Sequence, residues 1–242
     1  MMKTANILIL AAFMAAAAVE AGAQTTPAPA THGFLNINGG AQTGSNTINV
    51  NQTFPIYGEN ATLTTTQTIG SGVLFDISGG YRFKPVFAVA LGFTNFSNTS
   101  PSSGTAVIPD PLVFAQPKTV PLTIPDLTHN ERAVYVAAVW FYDVNNKADV
   151  AFSIGPAFTR VSQEVASSVT VATGTQNATP VVTKENKTAP GILIGVDGTY
   201  LFTRMVGAGL FLRYVSGSAD LPSVQDLKVG GFQIGVGARL RF

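Results

Sequence analysis

The sequence predicts an all-β chain, an eight-stranded antiparallel up-and-down transmembrane β-barrel, and three observations predict it. The first is the stretch Lys228 to Phe242, KVGGFQIGVGARLRF. Taken in twos it gives an apolar row, Phe232, Ile234, Val236, Ala238, Leu240 and Phe242, against Gly231, Gln233, Gly235, Gly237, Arg239 and Arg241. A period of two is that of a strand, and bulky apolar residues on one face with small or polar ones on the other suit lipid outside and a filled polar interior. The second is recurrence: such segments repeat along the chain near the ~9–11 residues that a tilted membrane strand needs. The third is composition, since 242 residues with 46% hydrophobic, 11% charged and 24 glycines are unusual for a soluble enzyme and enough for one barrel.

The same numbers exclude other classes. Beyond the first two dozen positions no apolar run approaches the ~20 residues of a membrane helix. A net charge of +1 without a concentrated basic patch argues against nucleic acid as a partner. With no cysteine the chain has no disulfide, no thiolate metal site and no lipidated cysteine.

Residues 1–23 read as a signal peptide: Lys3 supplies the positive start, Ile7 to Val19 the apolar run, and Ala21-Gly22-Ala23 the small-x-small cleavage pattern. An uncleaved anchor is the alternative, with a run too short to span comfortably. Residues 24–32, QTTPAPATH, form a proline-interrupted tether. The barrel occupies 33–242.

Its first segment, Phe34 to Gln42, sets Leu35, Ile37 and Ala41 against Asn36, Asn38 and Gln42. The second, Gly72 to Tyr81, sets Val73, Phe75, Ile77 and Tyr81 against Leu74, Asp76 and Ser78; the third, Val86 to Phe96, sets Phe87, Val89, Leu91 and Phe93 against Ala88, Ala90, Gly92 and Thr94. Both faces of the fourth, Glu131 to Tyr142, are apolar, and Val134, Val136, Trp140 and Tyr142 are assigned to lipid because Trp and Tyr fit an interfacial girdle. In the fifth, Asp149 to Arg160, Phe152, Ile154 and Phe158 face out and Pro156 predicts a bulge. The sixth, Gly191 to Phe202, and the seventh, Val206 to Tyr214, complete the set with the closing stretch as the eighth. Connections alternate between short turns and long loops at about 43–71, 97–130, 161–190 and 216–227. Aromatics gather near the short turns, and an even strand count returns both termini to that side. A soluble lipocalin-type cup would invert the two rows.

The leader, the eight alternating segments and the closing Phe242 resemble the small bacterial outer-membrane barrels typified by the OmpA transmembrane domain, OmpX and OmpW. The resemblance spans Gly33 to Phe242 and lies in pattern, not in a specific motif. It implies a bacterial outer-membrane location, with long loops extracellular and short turns and tether periplasmic. It also implies outer-membrane lipid and the barrel assembly machinery as partners, with Phe242 as the assembly signal.

Three places can carry function. Inward-facing Asp76, Asp197, Arg213, Arg239 and Arg241 would pair across a lumen that an eight-stranded barrel fills with its own side chains, as a buried ion network or as a gate whose pairs exchange partners. Asn98 to Thr128 carries six prolines, which predict extended backbone without strand pairing. Its apolar residues, Leu112, Val113, Phe114, Leu122 and Ile124 among them, form either a lid over the barrel mouth or a patch for a surface partner. Gln163 to Thr188 instead alternates around Gly174 to Asn177 and predicts a hairpin that continues strands five and six beyond the membrane. Catalysis is the third place: His129 and Glu131 share a face, expected against headgroups or water, but no serine is spaced to pair with the histidine. Neither a metal-ligand spacing nor a phosphate loop occurs, so the sequence predicts no enzyme, cofactor or metal. The expected role is structural or surface interaction through the loops, with a narrow passive channel for ions or small hydrophobic solutes as the alternative.

Overall fold

The computed structural model describes residues 32–44, 46–113, 116–171 and 178–242. The expected signal peptide and all of the tether but His32 lie outside the described residues. Ten strands follow in chain order: β1 (Gly33–Thr43), β2 (Asn46–Ile56), β3 (Glu59–Ile69), β4 (Gly72–Lys84), β5 (Phe87–Pro109), β6 (Pro117–Asn145), β7 (Ala148–Val171), β8 (Ala178–Leu201), β9 (Val206–Ala219) and β10 (Leu227–Arg241).

Eight of them close a ring, β1-β4-β5-β6-β7-β8-β9-β10 and back to β1, every pair antiparallel. The eight are the eight alternating segments of the sequence. Closure joins the two ends of the chain: Phe34 pairs with Arg241, while Gly33 and Phe242 exchange backbone hydrogen bonds of 2.6 and 2.9 Å. Closing a sheet removes its edges, which is what hydrocarbon demands.

Side chains sort as the alternation requires. Val73, Leu91, Val136, Phe158, Ile192 and Val236 are exposed on the outer wall, and Leu74, Asp76, Thr94, Arg213 and Arg239 are buried inside. On β6 Trp140 and Tyr142 are exposed and Tyr135 is buried, so the choice of face there holds. The girdle at the turn end is continuous in places: Tyr81, Phe83, Phe87 and Trp140 stack in sequence at centroid distances of 6.3, 5.5 and 5.2 Å. Pro156 makes no bulge. It pairs with Ile192 without a register shift, and on the β6 side the ladder is interrupted between Tyr135↔Ala157 and Ala138↔Ile154 with its register kept. A missing donor costs a hydrogen bond there, not an extra residue.

Beyond the membrane the chain departs from the unpaired loops expected of it. β2 and β3 form a hairpin turned by Tyr57 (φ 53°) and Gly58 (φ 80°), and β3 joins the upper part of β5 from Thr62↔Val107 to Gln67↔Ser102. The proline-rich segment is itself paired, β5 with β6 as far as Pro109↔Pro117. Two physical reasons let prolines stand in this sheet. Pro101 and Pro125 fall in the one register irregularity of the pair, and upper β6 has a strand on one side only, because its pairing with β7 begins at His129↔Gln163. Bulges and edge strands are where proline is tolerated. The β7–β8 hairpin continues to Val171 and Ala178, as the alternation predicts. Its Gly174 to Asn177 turn lies outside the described residues.

The interior of the barrel as candidate functional site

Inward positions of a closed eight-stranded ring converge on one axis, so residues far apart in sequence meet there. The middle layer is built on Asp76. Arg213 donates to its carboxylate and to the Tyr135 hydroxyl, both at 2.7 Å; Tyr135 in turn donates to Asp76 at 3.0 Å, and Asn38 Nδ2 donates at 2.6 Å. Arg239 donates to Asn38 Oδ1 at 2.5 Å. Asp197 Oδ1 lies 3.6 Å from both Arg213 and Arg239. Asp76 and Arg239 are both 0% exposed; in such a place each charge stands only because the others offset it.

A lower layer sits nearer the turns. Arg241 Nη2 donates to both oxygens of Asp149 at 3.2 Å and to Thr199 at 3.3 Å. Arg82 reaches Asp149 at 3.6 Å and the largely exposed Asp143 at 3.8 Å. The Arg82 guanidinium lies 3.5 Å over the Phe141 ring, and Arg241 faces Phe34 and Phe141 at 5.3 and 5.4 Å. These aromatic faces add cation–π attraction where solvent is excluded.

An upper layer is a chain of amides around His129 and Glu131. Gln233 donates to Gln42 at 2.9 Å and Gln42 to Glu131 at 3.1 Å; His129 meets Glu131 at 2.9 Å and Gln163 Oε1 at 2.7 Å; Gln163 donates to Gln67 at 2.8 Å. Both ring nitrogens of His129 are thus engaged, one by the Glu131 carboxylate and one by the Gln163 side chain. The expectation that His129 meets headgroups or water is overturned: it is buried, because β6 continues upward past it and β7 closes over it at Gln163.

Above this layer the interior turns apolar. Leu63, Ala106, Ile108, Leu122, Ile124 and Leu127 pack with Ala166 and Val169, and beside them Ile48, Val50 and Ile69 pack with Val161, Val165, Leu221 and Val224.

The sequence-derived site residues thus fall into place unevenly. Asp76, Asp197, Arg213 and Arg239 share one layer, while Arg241 belongs to the lower one with Asp149. Tyr135, Asn38, Asp149 and Arg82 were not singled out from sequence, though Asp149 and Arg82 were visible as charges at strand ends. The apolar loop patch is divided. Leu112 is 92% exposed and Val113 is exposed at a hairpin tip held by Asp110, whose Oδ1 accepts from both backbone amides at 2.8 and 3.2 Å. Leu122 and Ile124 are buried in the core of the extramembrane sheet and cannot be part of a surface patch. Phe114 lies outside the described residues. Phe242, the expected assembly signal, lies exposed on the outer wall at the turn end. Among the described residues no cluster of His, Asp or Glu has the geometry of a metal site.

With this geometry the chain can be compared with known proteins. No protein-family model matches the sequence, and no curated protein is similar to it at the sequence level. Solved structures do match in shape. Neisserial surface protein A aligns over 87% of this chain and 96% of its own with a TM-score of 0.50 and 14% identity. OprG from Pseudomonas aeruginosa aligns over 88% and 97% with a TM-score of 0.47 and 9% identity. The N-terminal β-barrel domain of Pseudomonas aeruginosa OprF aligns over 88% and 98% with a TM-score of 0.43 and 11% identity. An eight-strand ring, an apolar outer wall and a polar interior give this chain the fold of the small outer-membrane β-barrels.

Proposed function

We propose that the protein is a non-conducting barrel that anchors a rigid extramembrane β-structure and offers it to partners at the bacterial surface. The observation that carries this reading is the filled interior: three polar layers bridge the lumen where a water path would run, and an apolar core packs above them. Opening such a path would separate buried charges from their partners, which is costly. The long connections are folded, with a tip that exposes Leu112 and Val113, so they suit recognition by shape. A packing role for His129 is supported by its burial between Glu131 and Gln163.

Conductance of the refolded protein in a planar bilayer tests the closed state. The expected outcome is a silent membrane; steady single-channel steps would refute it. A second reading, a gated pore, draws on Asp197, which stands equally far from two guanidiniums and could exchange them. It requires flux that changes in Asp76→Ala or Arg239→Ala.

The surface assignment has its own test, because the chain has no cysteine. Leu112→Cys should react with a membrane-impermeant maleimide on intact cells, and Lys147→Cys, in a turn at the other end, only after the outer membrane is permeabilised. The reverse pattern would overturn the proposed orientation.

A further inference from the structure

Between the middle and lower layers lies a cavity of about 30 Å³, lined among others by Asn36, Ser153, Thr199, Asp197, Arg213 and Arg241, room for about two waters. Its walls are unusually rich in donors that nothing uses. Arg213 Nε, Arg241 Nε and Nη1 and Ser153 Oγ have no hydrogen-bond partner among the described residues, although Arg213 and Arg241 are only 4% and 3% exposed. Guanidinium nitrogens donate and never accept, so what satisfies them must bring lone pairs. Asn36 can join them: its Nδ2 reaches Ser78 Oγ only at 3.5 Å while its Oδ1 is unpartnered. Turning that amide over lets Ser78 donate to Oδ1 and frees Nδ2.

Charge points the same way. Arg213 and Arg241 line the cavity with Asp197, and the ion pairs they belong to add the guanidiniums of Arg82 and Arg239 and the buried carboxylates of Asp76 and Asp149. Asp143, the fourth acid in reach, has a side chain 59% exposed and offsets Arg82 weakly. Glu131 belongs to the upper layer, where His129, Gln42 and the Gly230 amide already meet it. The Asp197 carboxylate also lines the cavity; its Oδ1 makes no hydrogen bond, and its charge is offset by the guanidiniums of Arg213 and Arg239, each 3.6 Å away.

We infer that this cavity is a binding site for a small monovalent anion of chloride size, held by Arg213 and Arg241 with the Ser153 hydroxyl. Such an ion accepts from the unpaired donors of Arg213, Arg241 and Ser153 and, unlike water, also balances the surplus guanidinium charge. It is a structural ion of the lumen, set between the middle and lower layers, and it adds to the barrel's resistance to unfolding.

Crystals of the folded protein grown in bromide test the site, together with thermal unfolding in detergent in sodium chloride and in sodium gluconate at equal ionic strength. An anomalous peak between Arg213 and Arg241 is expected, with a higher midpoint in chloride. In Ser153→Val, which removes one donor and fills part of the space, the chloride dependence should weaken at least about tenfold in half-saturation. Heat-dependent gel mobility shows that the variant barrel has closed. Equal midpoints in the two salts and no bromide peak in the wild-type protein would mean that water alone fills the cavity, and the proposal would fall.

Discussion

The same strands build two halves of this molecule with opposite insides. Along β6 the lower half buries Tyr135 in an ionic lumen and exposes Val134, Val136 and Trp140. Past His129 the upper half buries Leu127, Ile124 and Leu122 and leaves Thr123 and Pro121 exposed. The alternation continues, with one slip at Pro125 and Asp126 where the β5–β6 register shifts; the medium outside changes, and with it the kind of residue that must hide. Where lipid is the solvent, polar groups gather on the axis and satisfy one another. Where water is the solvent, the axis becomes an ordinary hydrophobic core. The Gln42, Gln67, His129, Glu131, Gln163 and Gln233 layer marks the change.

The largest effect should come from breaking the lower half at its centre. Asp76→Leu leaves Arg213 buried without its closest acceptor and should cost about 4 kcal/mol in urea unfolding from detergent micelles. Adding Arg213→Met should restore most of that loss, because replacing both partners by apolar groups of similar volume is close to neutral. If the double variant is as unstable as the single one, the two charges are not energetically coupled and the lumen is not a charge network.

The upper half should break differently. Leu63 is fully buried in the core that upper β5, upper β6 and β7 share with β3, and Leu63→Ala should cost about 3 kcal/mol. That loss should be local: hydrogen exchange should rise over β2, β3 and upper β5, while heat-dependent gel mobility stays that of a closed barrel. Exchange rising equally over β1 and β10 would show that the halves fold as one unit.

These halves differ as much in legibility as in chemistry. In the lower half, lipid and lumen select such different residues that each row is visible from single letters, as in Phe232, Ile234 and Val236 against Gln233, Gly235 and Gly237. Above it, β3 alternates Ala61, Leu63, Thr65, Gln67 and Ile69 with Asn60, Thr62, Thr64, Thr66 and Thr68. Threonine stands in both rows, so the period of two is masked by a composition that reads as loop. Prolines hid the β5–β6 extension for a related reason, since their exclusion from sheets does not apply to an edge strand or a bulge. Within the site, Asp76, Asp197 and Arg213 were readable because each is a charge in a row of small residues. Tyr135 was not, because both faces of its strand are apolar. His129 was misplaced by ending that strand at Glu131, when its true start is Pro117.

The sharpest test of the inversion uses one substitution at two heights on outward-facing positions. Leu91 lies on the outer wall of β5, four residues above the girdle residue Phe87, and is 59% exposed. Thr64, also exposed, faces out from β3 in the upper half. Exposure alone would make the two positions equivalent. The medium does not: a guanidinium in the hydrocarbon band must snorkel or draw water in, and Leu91→Arg should cost about 2 kcal/mol in lipid vesicles. Thr64→Arg, whose head stays in water beside other exposed threonines, should fall within about 0.5 kcal/mol of the parent. Equal effects at the two sites would place the membrane boundary elsewhere, and the change from a polar to an apolar interior at His129 would then need a cause other than the surrounding solvent.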